Sequence, residues 1–324
     1  MRKYVNDLVS VIIPTYKRAE ALGRAIRSVL YQTYDNIEIL VVDDNEPNDE
    51  NSKNVEKIIN EINSKKVKLV RQKKHINGAA ARNAGINAAK GEYITFLDDD
   101  DLYLPTKIEE QLNYLKKLDS KIGGVSAKKI FIEDGKINHV SEKWKFDSKQ
   151  NYKVLSKQLN IQTCTLLLRR KCLDETGYFD ENLKRHQEVQ LNSFFTQKYG
   201  IKLLDKFLVI IDSTDVSNRP SYEKILNIKK DYLKSVNPII NRYNKLRQKE
   251  IVAHNMTEVA YIKFKEKNKI LGLFELLKCF IYPSVLIGFI KRYLIKVRYK
   301  KINKWLSKEE IVDIYNFIKK CEEK

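Results

Sequence analysis

Asp98-Asp99-Asp100-Asp101 sets four carboxylates in succession directly after the apolar stretch Tyr93-Ile94-Thr95-Phe96-Leu97. Adjacent carboxylates repel one another unless a cation answers them. An all-oxygen ligand set suits a hard divalent ion, Mg2+ or Mn2+, above all one that also holds phosphate oxygens. The plainer alternative is a solvated acidic loop leading into a helix near Pro105. Position favours the metal, because open α/β sheets bind ligands at the ends of buried strands. Two further groups occupy equivalent positions. Pro14-Thr15-Tyr16 follows the β-branched run 8–13, and Asp43-Asp44 closes the apolar run 37–42. Singly, an aspartate after a strand is well explained as a helix cap. Together on one edge of a parallel sheet, these groups build a cleft with one carboxylate free to accept a base N–H. A carboxylate pair in the same cleft is free to hold a metal over a diphosphate.

The elements that must position these groups alternate along the first hundred residues. Strands are expected at 8–13, 37–42, 67–71 and 93–97, the first ended by Pro14, with helices at 19–32, 55–62 and 79–89. Leu22, Ile26, Val29 and Leu30 share one helix face. Repeated β-α-β predicts an α/β fold with a mostly parallel sheet covered on both sides. A helix at 105–118 comes next, then a less regular region at 122–140 with a hairpin at Glu133-Asp134-Gly135-Lys136. A strand at 164–168, a helix at 188–199 and a closing strand at 202–211 complete this part. No P-loop and no Gly-x-Gly-x-x-Gly follows the first strand, which argues against ordinary P-loop and dinucleotide sites.

The 324 residues carry a net charge of +19, and residues 215–324 alone contribute +13 of it. Such a surface seeks nucleic acid, anionic lipid or phosphorylated substrates. Cys164, Cys172, Cys279 and Cys321 and the four histidines are scattered without zinc-site spacing, which suits reduced thiols in a cytosolic protein. No apolar segment precedes Val9, so a secretory signal is not expected.

Val9-Ser10-Val11-Ile12-Ile13-Pro14-Thr15-Tyr16, Ser28-Val29-Leu30-Tyr31-Gln32-Thr33-Tyr34 and Val41-Val42-Asp43-Asp44 follow one another in order. Asn77-Gly78-Ala79-Ala80-Ala81-Arg82-Asn83-Ala84-Gly85, Lys90-Gly91-Glu92 through Asp101, Thr176-Gly177-Tyr178-Phe179-Asp180-Glu181 and Arg185-His186-Gln187-Glu188 come after them. This series resembles the family 2 glycosyltransferases over residues 8–215, in particular the non-processive bacterial enzymes of capsule, lipopolysaccharide and teichoic-acid type. The resemblance implies a GT-A fold and transfer of a sugar, hexosyl or N-acetylhexosaminyl, from a UDP-sugar with inversion. By the same resemblance Asp44 accepts from the base in a pocket lined by Pro14, Thr15 and Tyr16, and Arg82 lies near the nucleotide. Asp98 and Asp99 approach ribose and metal, Asp100 is the metal ligand with Asp98 as a second, and Asp101 supports the following helix. Glu188 is the base, in a place where the family usually has Asp in an acidic pair. The departures are Gln187 before it and Ile211-Asp212-Ser213-Thr214-Asp215, where many relatives carry a metal-supporting histidine. The Gln-x-x-Arg-Trp element of processive synthases is absent.

The implied division is a catalytic domain at 1–215, with a nucleotide half at 1–101 and an acceptor half at 102–215, followed by a basic helical region at 216–324. Between Leu276 and Lys308 nine Lys and Arg face no acidic residue, around an uncharged run of twelve residues at 279–290. That run is too short to span a bilayer. Flanked by Lys291-Arg292, Lys296, Arg298, Lys300 and Lys301, it suits an anionic membrane surface. The expected acceptor is therefore a glycan or lipid-linked glycan in bacterial surface polysaccharide synthesis, at the inner face of the cell membrane, and a homo-oligomer is compatible with this. A sugar nucleotidyltransferase would want a Gly-rich basic loop where Pro14-Thr15-Tyr16-Lys17-Arg18 stands. A nucleic-acid-binding protein is suggested by charge alone, and four aspartates at the sheet edge would repel a phosphate backbone.

Overall fold

The computed structural model describes residues 3–214, 221–298, 302 and 305–323. Its first half has the expected alternation: β1 (Val5–Thr15), α1 (Ala19–Leu30), β2 (Ile37–Asp43), α2 (Glu50–Ile62), β3 (Val67–Arg71), α3 (Gly78–Ala88) and β4 (Gly91–Phe96). β1 runs through Pro14 rather than ending at it, which is tolerated because Pro14 lies one residue from the strand end. α2 starts five residues before the expected 55, because Asp49 caps it by accepting from the Ser52 amide at 2.7 Å.

The second half departs further from expectation. It comprises β5 (Leu102–Tyr103), α4 (Lys107–Lys116), β6 (Ile122–Glu133), β7 (Lys136–Val140), α5 (Gln150–Leu155), a 3-10 turn at Thr163–Thr165, β8 (Leu166–Arg169), α6 (Arg170–Thr176), α7 (Gln187–Lys198) and β9 (Gly200–Asp212). The region 122–140 is not irregular. It is a long strand and its hairpin partner, turned at Asp134 and Gly135, which both adopt the positive φ that a two-residue hairpin loop requires. β6 is buried on both faces over most of its length, so its sequence shows no polar alternation to betray it. Gly123 serves this burial, since a Cβ there would stand 2.7 Å from the Phe195 ring on α7.

One nine-stranded sheet results, in the order β3-β2-β1-β4-β8-β6-β9-β5, with β7 on the edge of β6. β3, β2, β1 and β4 are parallel, as the β-α-β pattern predicts. β8 then enters antiparallel to both β4 and β6, so the rest of the sheet is mixed. Alternate residues of the central strands fill opposite cores. Ile12, Leu40, Val42 and Phe96 pack on one side, and Val11, Ile13, Ile39 and Val41 on the other.

The basic C-terminal part is helical: α8 (Tyr222–Ser235), α9 (Asn237–Ile240), α10 (Lys245–Glu266), α11 (Lys269–Phe280), α12 (Pro283–Arg298) and α13 (Lys308–Glu322). Tyr232, Val236, Ile239, Ile240 and Ile251 share the first core with the sheet. Ile314, Phe317 and Cys321 of α13 return to cover Ile130, Ile132 and Ile210. Leu306 is buried in that same cluster, so residues 276–308 are not one continuous surface segment. Lys300 and Lys301 fall outside the described residues, as does Asp215, and for Arg292, Lys296 and Arg298 the helical backbone alone is described.

Candidate functional site

Parallel pairing brings three strand ends level. Thr15 lies opposite Asp43 in register, Asp43 opposite Arg71, and the Leu97 amide bonds the Ile12 carbonyl at 3.0 Å. The cleft they form encloses about 360 Å³. Pro14, Thr15, Tyr16, Asp44, Arg82, Asp98, Asp99 and Asp100 all line it. Arg18 and His75 line it too, and neither was among the expected site residues.

The paired aspartates after β2 divide their work. Asp43 turns inward and accepts from the Ser52 hydroxyl at 2.5 Å and the Asn45 side chain at 2.7 Å. Asp44 faces the cleft. Gln72 Nε2 and the Ile76 amide donate to its Oδ1 at 2.6 and 3.2 Å, and His75 Nδ1 lies 2.9 Å from its Oδ2. Burial raises the Asp44 carboxyl, and the Ile76 amide and His75 oppose that rise. The His75 ring also stacks on Tyr16, centroids 3.8 Å apart, so one aromatic pair walls the pocket beside Asp44. His75 could have been suspected from its position just beyond the third strand, but the tertiary pairing alone reveals it.

α3 carries the next group. Asn77 caps it, accepting from the Ala79 and Ala80 amides, and donates to the Glu181 carbonyl at 2.8 Å. Asn83 donates to the Phe179 carbonyl and Glu181 Oε1 and accepts from the Phe179 amide. These contacts explain why two distant motifs occur in one chain: α3 holds the 179–181 segment in place. Arg82 Nη2 donates to Asp98 Oδ1 at 2.5 Å, while its buried Nε has no hydrogen-bond partner among the described residues.

The four aspartates are unequal. Asp98 is the most exposed toward the cleft. Thr15 Oγ1 donates to Asp99 Oδ2 at 2.8 Å, and burial pushes the Asp99 carboxyl up to about 7, with Asp100 adding repulsion. Asp100 is likewise raised, by burial first and then by Asp98, and it pairs with Arg18. Asp101 is buried and accepts from the Asp212 amide at 3.1 Å. It braces β9 rather than the next helix, whose N-cap is Thr106.

Among the described residues no three His, Cys, Asp or Glu side chains are arranged to hold a metal ion unaided. Asp98, Asp99 and Asp100 still fit a divalent cation that also takes phosphate oxygens. They offer oxygen ligands only, repel one another, and already draw the Arg18 guanidinium between Asp99 and Asp100.

Glu188 does not line this cavity. It stands in the first turn of α7, whose N-cap His186 has φ 64°, close enough to Asp98, Arg82 and Lys129 to feel their charges. Burial raises its carboxyl, and Lys129 and a Thr163 backbone hydrogen bond pull the other way. Lys129, on β6, is almost fully buried and donates to Gln162 at 2.5 Å. It lines a second cavity of about 370 Å³ together with Trp144, Glu142 and Gln158. Lys129 was not foreseen, because β6 was not read as a strand.

An α/β sheet with strand-end carboxylates around one cleft, and a further carboxylate on a helix beyond it, is the architecture of a ligand-binding α/β enzyme. The chain belongs to glycosyl transferase family 2, whose signature residues 10–177 match. It is 29% identical over 328 residues to an uncharacterised glycosyltransferase of Rickettsia typhi, covering 97% of each chain. It is 36% identical over 194 residues to one of Rickettsia felis, a stretch that spans 57% of this chain and 30% of that protein's length. The Escherichia coli UDP-Glc:alpha-D-GlcNAc-diphosphoundecaprenol beta-1,3-glucosyltransferase WfaP is 32% identical over 166 residues, 51% of this chain and 61% of its own. TarS of S. aureus in complex with UDP-GlcNAc shares the fold, with TM-score 0.58 at 17% identity over 96% of this chain and 90% of that one. A Pyrobaculum calidifontis mannosyltransferase with GDP-Man and Mn2+ does so with TM-score 0.54 at 17% identity, covering 97% and 85%. Residues 10–177 are thus a family 2 glycosyltransferase domain, and the nucleotidyltransferase reading gives way.

Proposed function

We propose that this glycosyltransferase moves a hexosyl or N-acetylhexosaminyl group from a UDP-sugar to a hydroxyl of a glycan or lipid-linked glycan, with inversion, in bacterial surface polysaccharide synthesis. The observation that carries the reading is the convergence of Pro14, Thr15, Tyr16, Asp44, Arg82, Asp98, Asp99 and Asp100 on one cavity. The UDP-GlcNAc bound by TarS and the diphosphoundecaprenol-linked acceptor named for WfaP support the choice of donor and acceptor.

Asp44 accepts the uracil N–H, and the stacked Tyr16–His75 pair walls the pocket on one side of the base. Asp98 and Asp99 approach the ribose, and Arg82 holds Asp98 in place. Asp100, with Asp98, would hold Mn2+ or Mg2+, which supplies Lewis-acid stabilisation of the leaving diphosphate. On the far side Glu188 takes the proton of the acceptor hydroxyl as its oxygen bonds to the anomeric carbon and the bond to the diphosphate breaks. A carboxylate whose affinity for protons is raised by burial suits that task.

The test is nucleotide release across a panel of UDP-sugars with Mn2+ or with EDTA. Release with one UDP-sugar, lost in EDTA and in both Asp100→Ala and Glu188→Ala, is expected. Full activity in both variants, or no binding of any UDP-sugar, overturns the reading.

A further inference from the structure

We infer that the α11–α12 elbow is a docking surface for an anionic lipid bilayer, lying flat in the interface and not crossing it. α11 is apolar on both sides. Inward, Leu276 and Cys279 are buried, and Gly272 lies so close to α10 that a Cβ would stand 2.4 Å from the Phe264 backbone. Outward, Ile270 is 81% exposed, Phe274 56%, Leu277 56% and Ile281, at the bend, 73%. On α12, Ile287 and Ile290 continue the patch at 52% and 48%. Helices apolar all round belong in a core or at a lipid boundary, and large contiguous exposed patches mark an interface.

Shape and charge select the partner. Among the described residues no single helix is long and apolar enough to cross a membrane; Lys269–Phe280 and Pro283–Lys291 reach that length and composition only as a pair bent by 114°, and two short helices at that angle can share one plane at a bilayer surface. The acidic residue of α11, Glu275, is bound to Lys263 at 2.6 Å, leaving Lys269, Lys278 and Lys291 around the patch. Beyond it the sequence from Leu276 to Lys308 carries nine cationic and no acidic side chains. An apolar face rimmed by cations matches anionic headgroups, with burial of roughly 5–10 Å into the headgroup boundary. The patch begins at Ile270, before the segment at 276–308 that the charge pattern marked.

The elbow also adjoins the acceptor side. Glu142 feels the charges of both Lys291 on α12 and Lys129 beside Glu188. A Cβ on Gly288 would stand 3.2 Å from His254, whose Nε2 lies 3.1 Å from Gln158. Gln158, Glu142 and Lys129 line the 370 Å³ cavity. A lipid anchor held in the bilayer under the elbow would therefore present its sugar to this cavity. That last step rests on Glu188 as base, whereas membrane docking does not.

Vesicle co-sedimentation of the full chain tests the inference. Binding to phosphatidylglycerol-containing vesicles, weak binding to phosphatidylcholine alone, and release by salt are expected. The variant I270S/F274S/I281S, altered at exposed positions only, should lose about a hundredfold in vesicle affinity while UDP affinity and melting temperature stay the same. Glu188→Gln should still sediment, which separates a failed docking surface from a failed mechanism. Unchanged sedimentation of the triple variant, or no sedimentation of the wild type, overturns the inference. So does a wild-type dimer that becomes monomeric in the triple variant without any vesicle binding, which would make the patch a contact between copies.

Discussion

Arg18 reaches over the mouth of the cleft to Asp100, its Nη1 paired with Asp100 Oδ2 and 3.8 Å from Asp99 Oδ1. A guanidinium thus occupies the field that a divalent cation would neutralise, and a cation bound there would compete with it. Arg18→Ala is expected to tighten Mn2+ binding by about tenfold, measured by electron paramagnetic resonance in the presence of UDP, and Asp100→Ala to abolish it. Weaker Mn2+ binding in Arg18→Ala would mean that Arg18 supports the cation instead of standing in for it.

Glu188→Gln should lower kcat by about a hundredfold to ten-thousandfold with UDP affinity unchanged. The wild-type carboxyl lies above the ordinary 4.5, so the base is protonated and the rate falls as pH drops through that raised value. The acid limb of the rate profile therefore lies above 4.5 and disappears in the variant. A raised carboxyl also means that its ionised form costs stability at neutral pH, so Glu188→Gln should melt no lower than the wild type.

Asp44 and Asp43 are adjacent yet should fail differently. Asp44→Ala removes the acceptor facing the cleft and should weaken UDP binding by about tenfold or more, read by calorimetry. Asp43→Ala strips Ser52 and Asn45 of their shared acceptor and should lower the melting temperature with a smaller effect on affinity.

Lys229, fully buried on α8, pairs with Glu258 on α10 at 2.7 Å, and Lys157 lies 3.3 Å from the same carboxylate. Although burial opposes it, the two lysines pull Glu258 down to about 2. Stability from this carboxylate is present above 4.5 and is lost as pH falls from there toward 2. Burial already holds Lys229 down to about 7, and Glu258→Gln leaves it buried without its partner charge. A loss of about 2 kcal/mol is expected by denaturant titration, below the cost for a fully buried pair because the Glu258 side chain is 43% exposed.

Legibility followed the range of the interactions. Strands β1 to β4 and their acidic ends could be read because each is local: a buried run, a helix-compatible segment, then the next run. The donor-side residues lie immediately after those strands, and parallel pairing carries them to one edge without further choice. β6 was harder, since a strand buried on both faces lacks alternation; β8 falls where a strand was expected at 164–168, but its antiparallel entry between β4 and β6 depends on partners far along the chain. Arg18 and His75 act through Asp100 and Asp44, and no spacing rule links such pairs.

Sequence by itself therefore determined the chemistry on offer: four carboxylates after a buried strand, Asp44 after another, Arg82 on a small-residue helix and Glu188 at the start of a later one. Tertiary structure alone decided which carboxylates face the cleft, that Asp101 braces β9, that Lys129 stands beside Glu188, and that α11 turns its second apolar face outward. The physical reason is that side-chain type and local periodicity are written in neighbouring residues. Burial, charge pairing and exposure depend on what the rest of the chain packs against them.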